Sequence, residues 1–273
     1  MVPPRLVEIL SGLHSVLVAY SGGVDSALVA VAARRALGRA RAAAALGVSP
    51  SLGARQHRQA RALATRFDLD LVEVPTHELS DPGYVANAPS RCFFCKRELW
   101  DRLAAVAAAR GLALVADGTN ADDLGEHRPG LAAAAERGVR SPLAEAGLGK
   151  AQVRAAARAL GLPNWEAPAS PCLASRIAYG LAVTPARLAQ VEAAEAELRA
   201  LGVAGDLRVR HRGDEARIEV DPAALPLVRA HGPALAARLR ALGFGRITLD
   251  LAGYRRGSLL GADREVEILA GGA

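Results

Sequence analysis

The sequence predicts a doubly wound, mostly parallel α/β sheet with a smaller C-terminal α+β domain. Short apolar segments of strand length alternate with longer segments rich in Ala, Leu and Arg through the first two-thirds of the chain, which is typical of βαβ units. A Gly-rich turn directly follows the first apolar segment, as in folds that bind ligands at the carboxyl ends of their strands. Beyond Tyr179-Gly180, short strands mix with helices. We therefore predict domains at residues 1–179 and 180–273.

The alternating segments give the order of elements in the first domain. Length and periodicity predict strands at Val16–Ala19, Ala43–Val48, Leu69–Val74 and Leu112–Ala116, and helices at Ser26–Leu37, Ala54–Phe67, Lys96–Arg110 and Lys150–Leu160. The segment from Leu162 to Pro171 contains three prolines. Since proline stiffens the chain and lacks a backbone N–H, we expect an irregular loop there.

The second domain is predicted to begin with a capped helix. Thr184 is the expected N-cap and Pro185 the first helical residue, because a Thr hydroxyl can accept from a free N–H and proline needs no N–H at that position. This helix should run to about Leu201. The further elements are predicted as strands at Leu207–His211 and Arg217–Val220, a helical region at Pro222–Leu242 and a last strand at Arg246–Leu251.

Composition limits the class of protein. Hydrophobic residues make up 51% of the 273 residues and aromatic residues only 4%, so the core must consist mainly of Ala, Leu and Val. The net charge is +6, carried almost entirely by arginine, since lysine occurs only at Lys96 and Lys150. Such basicity suits anionic substrates such as nucleotides, but by itself it does not indicate nucleic-acid binding. We expect a cytoplasmic protein without membrane contact, because we find neither a secretory signal nor an apolar run of ~20 residues.

The Gly-rich turn Ser21-Gly22-Gly23-Val24-Asp25-Ser26 is predicted to bind phosphate. Glycine allows successive backbone N–H groups to point at an anion, and the following helix adds its free N–H groups and positive dipole end. Ser21 and Ser26 offer hydroxyls, and Asp25 can help to hold a Mg²⁺ that shields phosphates. The turn is neither a Walker-type P-loop nor a Gly-x-Gly-x-x-Gly turn.

Two further segments carry candidate binding residues. Asp117-Gly118-Thr119-Asn120-Ala121-Asp122-Asp123 ends the fourth predicted strand, and its acidic, amide and hydroxyl groups suit nucleotide and Mg²⁺ contacts; helix capping and turn formation are the alternative. Arg208 and Arg210 alternate along a predicted strand, so both project from one face and could hold a phosphate together. A solvated strand face is the alternative reading of the two arginines.

The three cysteines, Cys92, Cys95 and Cys172, suggest reactive thiols or metal ligands rather than a disulfide framework. A two-residue gap lets Cys92 and Cys95 face one metal. A cubane iron–sulfur cluster with one open iron fits three thiolates better than zinc does. The alternative, in which Cys92 and Cys95 pack in a loop and Cys172 alone is reactive, stays open. Arg176 follows Cys172 by four residues and could favour its thiolate.

The order of these motifs resembles the LarE family of ATP-dependent sulfur transferases, which are N-type ATP pyrophosphatases of the PP-loop superfamily. The series that carries the resemblance is Ser21–Ser26, Asp117–Asp123, Arg128-Pro129-Gly130, Ser141-Pro142-Leu143, Cys172-Leu173-Ala174-Ser175-Arg176-Ile177 and Arg208-Val209-Arg210-His211. The resemblance covers nearly the whole chain and implies a sheet like that of the adenine nucleotide alpha hydrolases. It also implies that ATP adenylates the carboxylates of pyridinium-3,5-biscarboxylic acid mononucleotide, which become thiocarboxylates for the nickel pincer cofactor of lactate racemase.

The resemblance assigns roles to particular residues. Cys172 matches the cysteine that joins the substrate covalently and gives up its sulfur, becoming dehydroalanine, and two arginines match those expected to bind the substrate phosphate. Some family members and related tRNA-thiolating enzymes instead hold a [4Fe-4S] cluster whose open iron binds external sulfide, and this chain has the cysteines for that route. The candidates are Cys172, Asp25 and Ser26 as catalytic residues, Ser21, Gly22, Gly23, Asp25, Ser26, Thr119, Asn120, Asp123, Arg176, Arg208 and Arg210 as ATP- or substrate-binding residues, and Cys92, Cys95 and Cys172 as metal ligands.

The expected ligands are therefore ATP, Mg²⁺, a [4Fe-4S] cluster and the mononucleotide, with a possible sulfide donor, and the resemblance suggests a homo-oligomer. A tRNA thiolase with the same ATP chemistry is the nearest alternative, but the chain lacks the paired cysteines of an extra zinc module. NAD or GMP synthesis by amide transfer would give Cys172 no role. A regulator that binds ATP without chemistry is the alternative from another class.

Overall fold

The computed structural model describes residues 2–125, 129–168, 171–255 and 265–269. The chain divides into two compact units, one made of residues 1–84 and 90–170 and the other of residues 85–89 and 171–273. The main boundary thus lies at 170/171 rather than at the predicted 179/180. Residues 85–89 belong to the second unit, where the Asn87 amide donates to the carbonyl oxygens of Ala178 at 2.8 Å and Leu181 at 2.9 Å.

A four-stranded parallel sheet forms the centre of the first unit, in the order β3-β2-β1-β4. Its strands are β1 (Val16–Ala19), β2 (Ala42–Val48), β3 (Asp70–Pro75) and β4 (Val115–Ala116). The helices are α1 (Pro4–Gly12), α2 (Val24–Leu37), α3 (Ala54–Arg66), α4 (Pro82–Val85), α5 (Arg91–Ala109), α6 (Pro129–Ala135), α7 (Pro142–Glu145) and α8 (Lys150–Ala159).

Helices cover both faces of this sheet, which confirms the predicted doubly wound α/β class. Val16 and Val18 of β1 lie in a buried cluster with residues of α1, α2, α3 and α8. Leu17 points to the other face, since side chains alternate along a strand, and packs in a second cluster with Trp100 and Leu103 of α5.

Helix α5 differs most from its prediction. It begins at Arg91 rather than Lys96, so Cys92 and Cys95 lie among its first five residues and not in a loop. The aromatic residues of this segment are only moderate helix formers, but Phe93 packs against the buried cluster of α5, and tertiary packing commonly overrides such weak preferences. Strand β4 is shorter than predicted because only Val115 and Ala116 pair with β1.

The second unit contains a four-stranded mixed sheet in the order β5-β6-β7-β8. Strands β6 and β7 are parallel and the other two pairs antiparallel. The elements are α9 (Pro185–Ala200), β5 (Leu207–Arg212), β6 (Glu215–Val220), α10 (Leu225–Ala230), α11 (Gly232–Ala241), β7 (Arg246–Asp250) and β8 (Val266–Ile268). The predicted cap of α9 is confirmed, because the Arg187 N–H donates to the Thr184 hydroxyl at 3.2 Å.

Two predictions for this unit are wrong in detail. The helical region at Pro222–Leu242 is interrupted at His231, because Pro233 has no backbone N–H with which to continue the hydrogen bonds of α10, whereas the first turn of α11 accommodates it. Strand β8 was missed, although residues 265–268 alternate between Glu and apolar side chains. None of the helices in the described part of the chain is long and apolar enough to cross a lipid bilayer.

Candidate active site

The candidate site of the first unit lies at the carboxyl ends of β1 and β4. From β1 the chain proceeds to β2 and β3 on one side, whereas β4 lies on the other side of β1. A parallel sheet opens a ligand crevice where its strand order reverses in this way. The phosphate loop, residues 21–26, follows β1, and the acidic segment, residues 117–123, follows β4. The topology thus brings the two strongest sequence motifs to one crevice.

The Ser26 side chain holds the phosphate loop together through two hydrogen bonds to its backbone. Its hydroxyl accepts from the Ser21 N–H at 3.1 Å and donates to the Gly23 carbonyl at 3.1 Å. Ser26 is buried, whereas Ser21 and Gly23 lie exposed at the rim. Gly23 is the N-cap of α2 and caps it without a side-chain hydrogen bond, so the first N–H groups of α2 are left for an anion.

Glycine is required at position 22. Gly22 has φ +78°, and a Cβ there would lie 2.8 Å from the Ala60 Cβ. A larger residue would meet both backbone strain and a steric clash. The loop is thus pressed against α3, which fixes its shape.

Asp25 and Asn120 meet in the crevice, as the two motifs predict. The Asn120 amide donates to Asp25 Oδ1 at 3.2 Å, and the Lys150 ammonium lies 2.5 Å from Asp25 Oδ2. The Lys150 backbone N–H also donates to Asp122 Oδ2 at 2.7 Å, at the start of α8. Lys150 was not predicted from the sequence as a site residue, although lysine is so rare in this chain that each lysine is a candidate.

The acidic segment is held by its own side chains. Asp117 accepts from the Thr119 hydroxyl at 2.7 Å and from the Ser141 hydroxyl at 2.8 Å. Asp123 accepts from the Asn120 N–H at 3.1 Å. Thr119 and Asp123 therefore stabilise the turns of this segment, as the alternative of capping and turn formation proposed. Their contact with a nucleotide remains a prediction.

The crevice suits Mg²⁺ that arrives with a nucleotide. In the portion of the chain that is described, no group of three or more His, Cys, Asp or Glu side chains is arranged to hold a metal ion. Mg²⁺ usually takes one or two carboxylates and completes its shell with substrate phosphates and water. Asp25, beside the phosphate loop, is a carboxylate that fits this mode.

Gly118 sets the distance between the two motifs. A Cβ at this position would lie 2.6 Å from the Ser26 backbone nitrogen and 2.9 Å from the Asp25 carbonyl carbon. We predict that Gly118→Ala pushes the phosphate loop away, because backbone atoms cannot yield as a flexible side chain can. The expected loss of ATP-dependent pyrophosphate release is about tenfold or more, with a decrease of about 1–3 kcal/mol in the free energy of unfolding.

Pyrophosphate release and thermal unfolding of the variant measure these effects. Gly125→Ala is the matched control, since a Cβ at Gly125 would meet nothing within 4 Å. Equal activity of Gly118→Ala and Gly125→Ala would contradict the argument.

In the second unit, Cys172 lies in a loop organised by Arg176. Cys172 is partly buried and caps a short 3-10 helix, Leu173–Arg176. The Arg176 guanidinium donates to the carbonyl oxygens of Pro171 at 2.5 Å and Cys172 at 3.0 Å and is paired with Glu195 at 2.9 Å. Arg176 thus holds the backbone of the cysteine loop. The predicted effect of Arg176 on the thiolate remains a prediction.

Arg208 and Arg210 lie on the face of β5 opposite Leu207 and Val209, which are in the core of the unit. The Arg210 guanidinium pairs with Glu219 at 2.8 Å and donates to the Ser175 carbonyl at 2.9 Å. Both arginines are buried, with 6% and 7% of their surface exposed, so the solvated strand face is ruled out.

Arg208 has a different environment from Arg210. Its guanidinium lies 5.0 Å from the centre of the Tyr254 ring. Burial lowers the pKa of Arg208, and the positive charge of Arg176 lowers it further. The carboxylates of Glu195 and Asp206 act in the opposite direction and raise it.

Cys92 and Cys95 lie one turn apart on α5, Cys92 exposed and Cys95 partly buried. Residues three apart share a helix face, and all three cysteines are free thiols. This donor set fits an iron–sulfur cluster chemically. Cys92 and Cys95 belong to the first unit and Cys172 to the second. Arg128, which contributes to the family resemblance, lies outside the described residues.

Comparisons with known proteins agree with the motif series. Residues 8–82, which include the phosphate loop, match the NAD synthase family model. The pyridinium-3,5-bisthiocarboxylic acid mononucleotide synthase of Lactiplantibacillus plantarum is 39% identical over 254 residues, which cover 93% of this chain and 92% of the relative. A protein of Synechocystis sp. is 44% identical over 257 residues, covering 93% and 95%. A protein of Methanocaldococcus jannaschii is 27% identical over 241 residues, covering 88% and 90%.

Proposed function

Since the chain belongs to the LarE family of ATP-dependent, adenylating sulfur transferases, we propose that it converts the carboxylates of pyridinium-3,5-biscarboxylic acid mononucleotide into thiocarboxylates. The product is the sulfur-bearing precursor of the nickel pincer cofactor of lactate racemase. The observation that carries the proposal is the contact of Asp25, in the phosphate loop, with Asn120 and Lys150 at the point where the strand order of the sheet reverses. The relative from L. plantarum, whose name states this product, supports the choice of substrate.

The first step activates a carboxylate. A carboxylate oxygen attacks the α-phosphorus of ATP, the bond from that phosphorus to the bridging oxygen of the β-phosphate breaks, and pyrophosphate leaves. The exposed N–H groups at the start of α2 and the Lys150 ammonium would stabilise the negative charge that builds up on the pyrophosphate. Mg²⁺ held by Asp25 would add to this stabilisation.

The second step forms the carbon–sulfur bond. A sulfur nucleophile attacks the carbonyl carbon of the acyl adenylate, and AMP leaves with the original carboxylate oxygen. Arg208 and Arg210 are our candidates for the substrate phosphate, because both lie on the same face of β5 and Arg210 contacts the Cys172 loop through the Ser175 carbonyl. Arg176 would keep the Cys172 loop in place through the Pro171 and Cys172 carbonyls.

The sulfur has two proposed sources. In the first, Cys172 attacks the adenylate, and loss of its α-proton then breaks the Cβ–S bond, which leaves dehydroalanine in the chain and the sulfur on the product. In the second, Cys92, Cys95 and Cys172 would hold a [4Fe-4S] cluster. Such a cluster, when bound, supplies an open iron for external sulfide.

Incubation of the anaerobically purified protein with the mononucleotide, ATP and Mg²⁺ tests the proposal, with and without sulfide. Mass spectrometry of the small molecules should find the thiocarboxylate, with AMP and pyrophosphate formed only when the mononucleotide is present. Tight retention of ATP without turnover would instead support a regulator, and AMP formation with unmodified tRNA but not with the mononucleotide would support a tRNA thiolase.

A further inference from the structure

Two side chains from outside the phosphate loop hold its carbonyl oxygens. The Gln56 amide on α3 donates to the Ser21 carbonyl at 3.3 Å. The Asn164 amide, in the proline-rich segment after α8, donates to the Gly22 carbonyl at 2.8 Å. Neither residue is among the sequence-predicted site residues. Both contacts lie within the first unit.

A bond to a carbonyl oxygen also fixes the N–H of the following residue. The two groups belong to one planar peptide unit and point in opposite directions. Asn164 therefore sets the direction of the Gly23 N–H, and Gln56 sets that of the Gly22 N–H. In this structure the Gly23 N–H has a long bond of 3.3 Å to the Ser21 hydroxyl, a weak partner that a phosphate oxygen can replace.

The Gly22–Gly23 peptide has particular need of such a restraint. Gly22 has φ +78°, and glycine visits both signs of φ with little cost. Rotation of this peptide would turn a carbonyl oxygen, instead of an N–H, towards a bound anion. The shorter of the two outside bonds, from Asn164, is the one that opposes this rotation.

The other half of the Asn164 amide is unfavourable where it lies. Its Oδ1 is buried and has no hydrogen-bond partner among the described residues. A buried acceptor without a partner is unfavourable. The amide is thus explained by what its Nδ2 does, which is to hold Gly22.

We propose that Asn164 is a positioning residue for pyrophosphate, which keeps the Gly23 N–H directed at the phosphate groups of ATP. The inference rests on the ATP-binding half of the proposed function and not on the sulfur chemistry. Asn164 does not touch the reacting atoms in this account but acts through the Gly22–Gly23 peptide. Gln56 has the same role for the preceding peptide, through a longer and weaker bond.

Calorimetric titration of the full chain with inorganic pyrophosphate and Mg²⁺ tests the inference. Asn164→Leu keeps most of the side-chain volume but has no hydrogen-bond donor. Asn164→Ala removes both the volume and the donor. We expect each variant to bind pyrophosphate about tenfold more weakly than the unaltered chain, which corresponds to about 1.4 kcal/mol. Affinity for adenosine, which has no phosphate, should stay unchanged, and KM for ATP should rise more than kcat falls.

The controls separate positioning from structural damage. Gln56→Ala should weaken pyrophosphate binding by a smaller factor than Asn164→Ala does. Unchanged pyrophosphate affinity of Asn164→Leu, or an equal loss of adenosine and pyrophosphate affinity, would overturn the inference while leaving the proposed function intact. Failure of the unaltered chain to bind pyrophosphate would overturn both.

Discussion

Replacement of Cys172 by alanine is expected to abolish thiocarboxylate formation while pyrophosphate release continues. Adenylation depends on the phosphate loop and Asp25, whereas the sulfur step depends on Cys172 in both proposed sulfur routes. We expect product formation to fall by about 1000-fold or to background, as for loss of a covalent nucleophile. Pyrophosphate release in the first turnover should change by less than about tenfold.

Rapid-quench assays of pyrophosphate and mass spectrometry of the product measure the two steps separately. Ser175→Ala is the matched control in the same loop, since its hydroxyl accepts a 3.1 Å bond from Arg176 and is not assigned a part in the reaction. Undiminished product from Cys172→Ala would contradict the assignment. Cys92→Ser then distinguishes the two sulfur sources. If a cluster binds the sulfide, this variant should lose sulfide-dependent turnover. If Cys172 is the sulfur donor, the variant should still form product, and the mass of its chain should fall by one hydrogen sulfide as Cys172 becomes dehydroalanine.

Replacement of Asp25 by asparagine is expected to reduce pyrophosphate release by about 100-fold or more. The variant lacks the proposed carboxylate ligand of the Mg²⁺ ion, and that ion would neutralise the negative charge that develops on the pyrophosphate. The variant also loses the ion pair with Lys150. Asparagine preserves the size of the side chain and can still accept from Asn120, so the fold should survive. Steady-state release of pyrophosphate over a range of Mg²⁺ concentrations measures the effect, and the Mg²⁺ requirement should rise.

Asp122→Asn is the control for this experiment. Asp122 accepts from the Lys150 backbone N–H at 2.7 Å, so this variant replaces a charge-assisted bond at the start of α8 by a weaker neutral one while leaving Asp25 in place. If Asp122→Asn and Asp25→Asn lose the same activity, Asp25 acts by placing Lys150 and not by holding Mg²⁺.

The elements that could be predicted are those that local patterns specify. Strand β1 was predicted with its observed bounds because Val16–Ala19 is a short apolar run followed at once by a Gly-rich turn. The start of α5 could not be predicted, because packing of Phe93 against the core, rather than local preference, makes residues 91–95 helical. The break at His231 could have been found from Pro233 alone, because proline cannot continue a helix that precedes it.

The residues of the candidate site likewise fall into those that a sequence motif predicts and those that only the fold brings to the site. The phosphate loop and the acidic segment each have a recognisable motif, and the sheet topology brings them together through the contact of Asn120 with Asp25. Lys150 and Asn164 contact the loop from positions 125 and 142 residues away in sequence. No local pattern specifies such contacts, so they emerge only from the packing of α8 and the segment after it.

The central claim, that ATP activates a carboxylate of the mononucleotide, is tested most directly by the fate of an oxygen atom. The mononucleotide is prepared with a heavy oxygen isotope in its carboxylates and is turned over with unlabelled ATP. We predict that AMP acquires one heavy oxygen for each thiocarboxylate formed, because the carboxylate oxygen leaves with the phosphorus it attacked. Unlabelled AMP alongside thiocarboxylate would contradict the account.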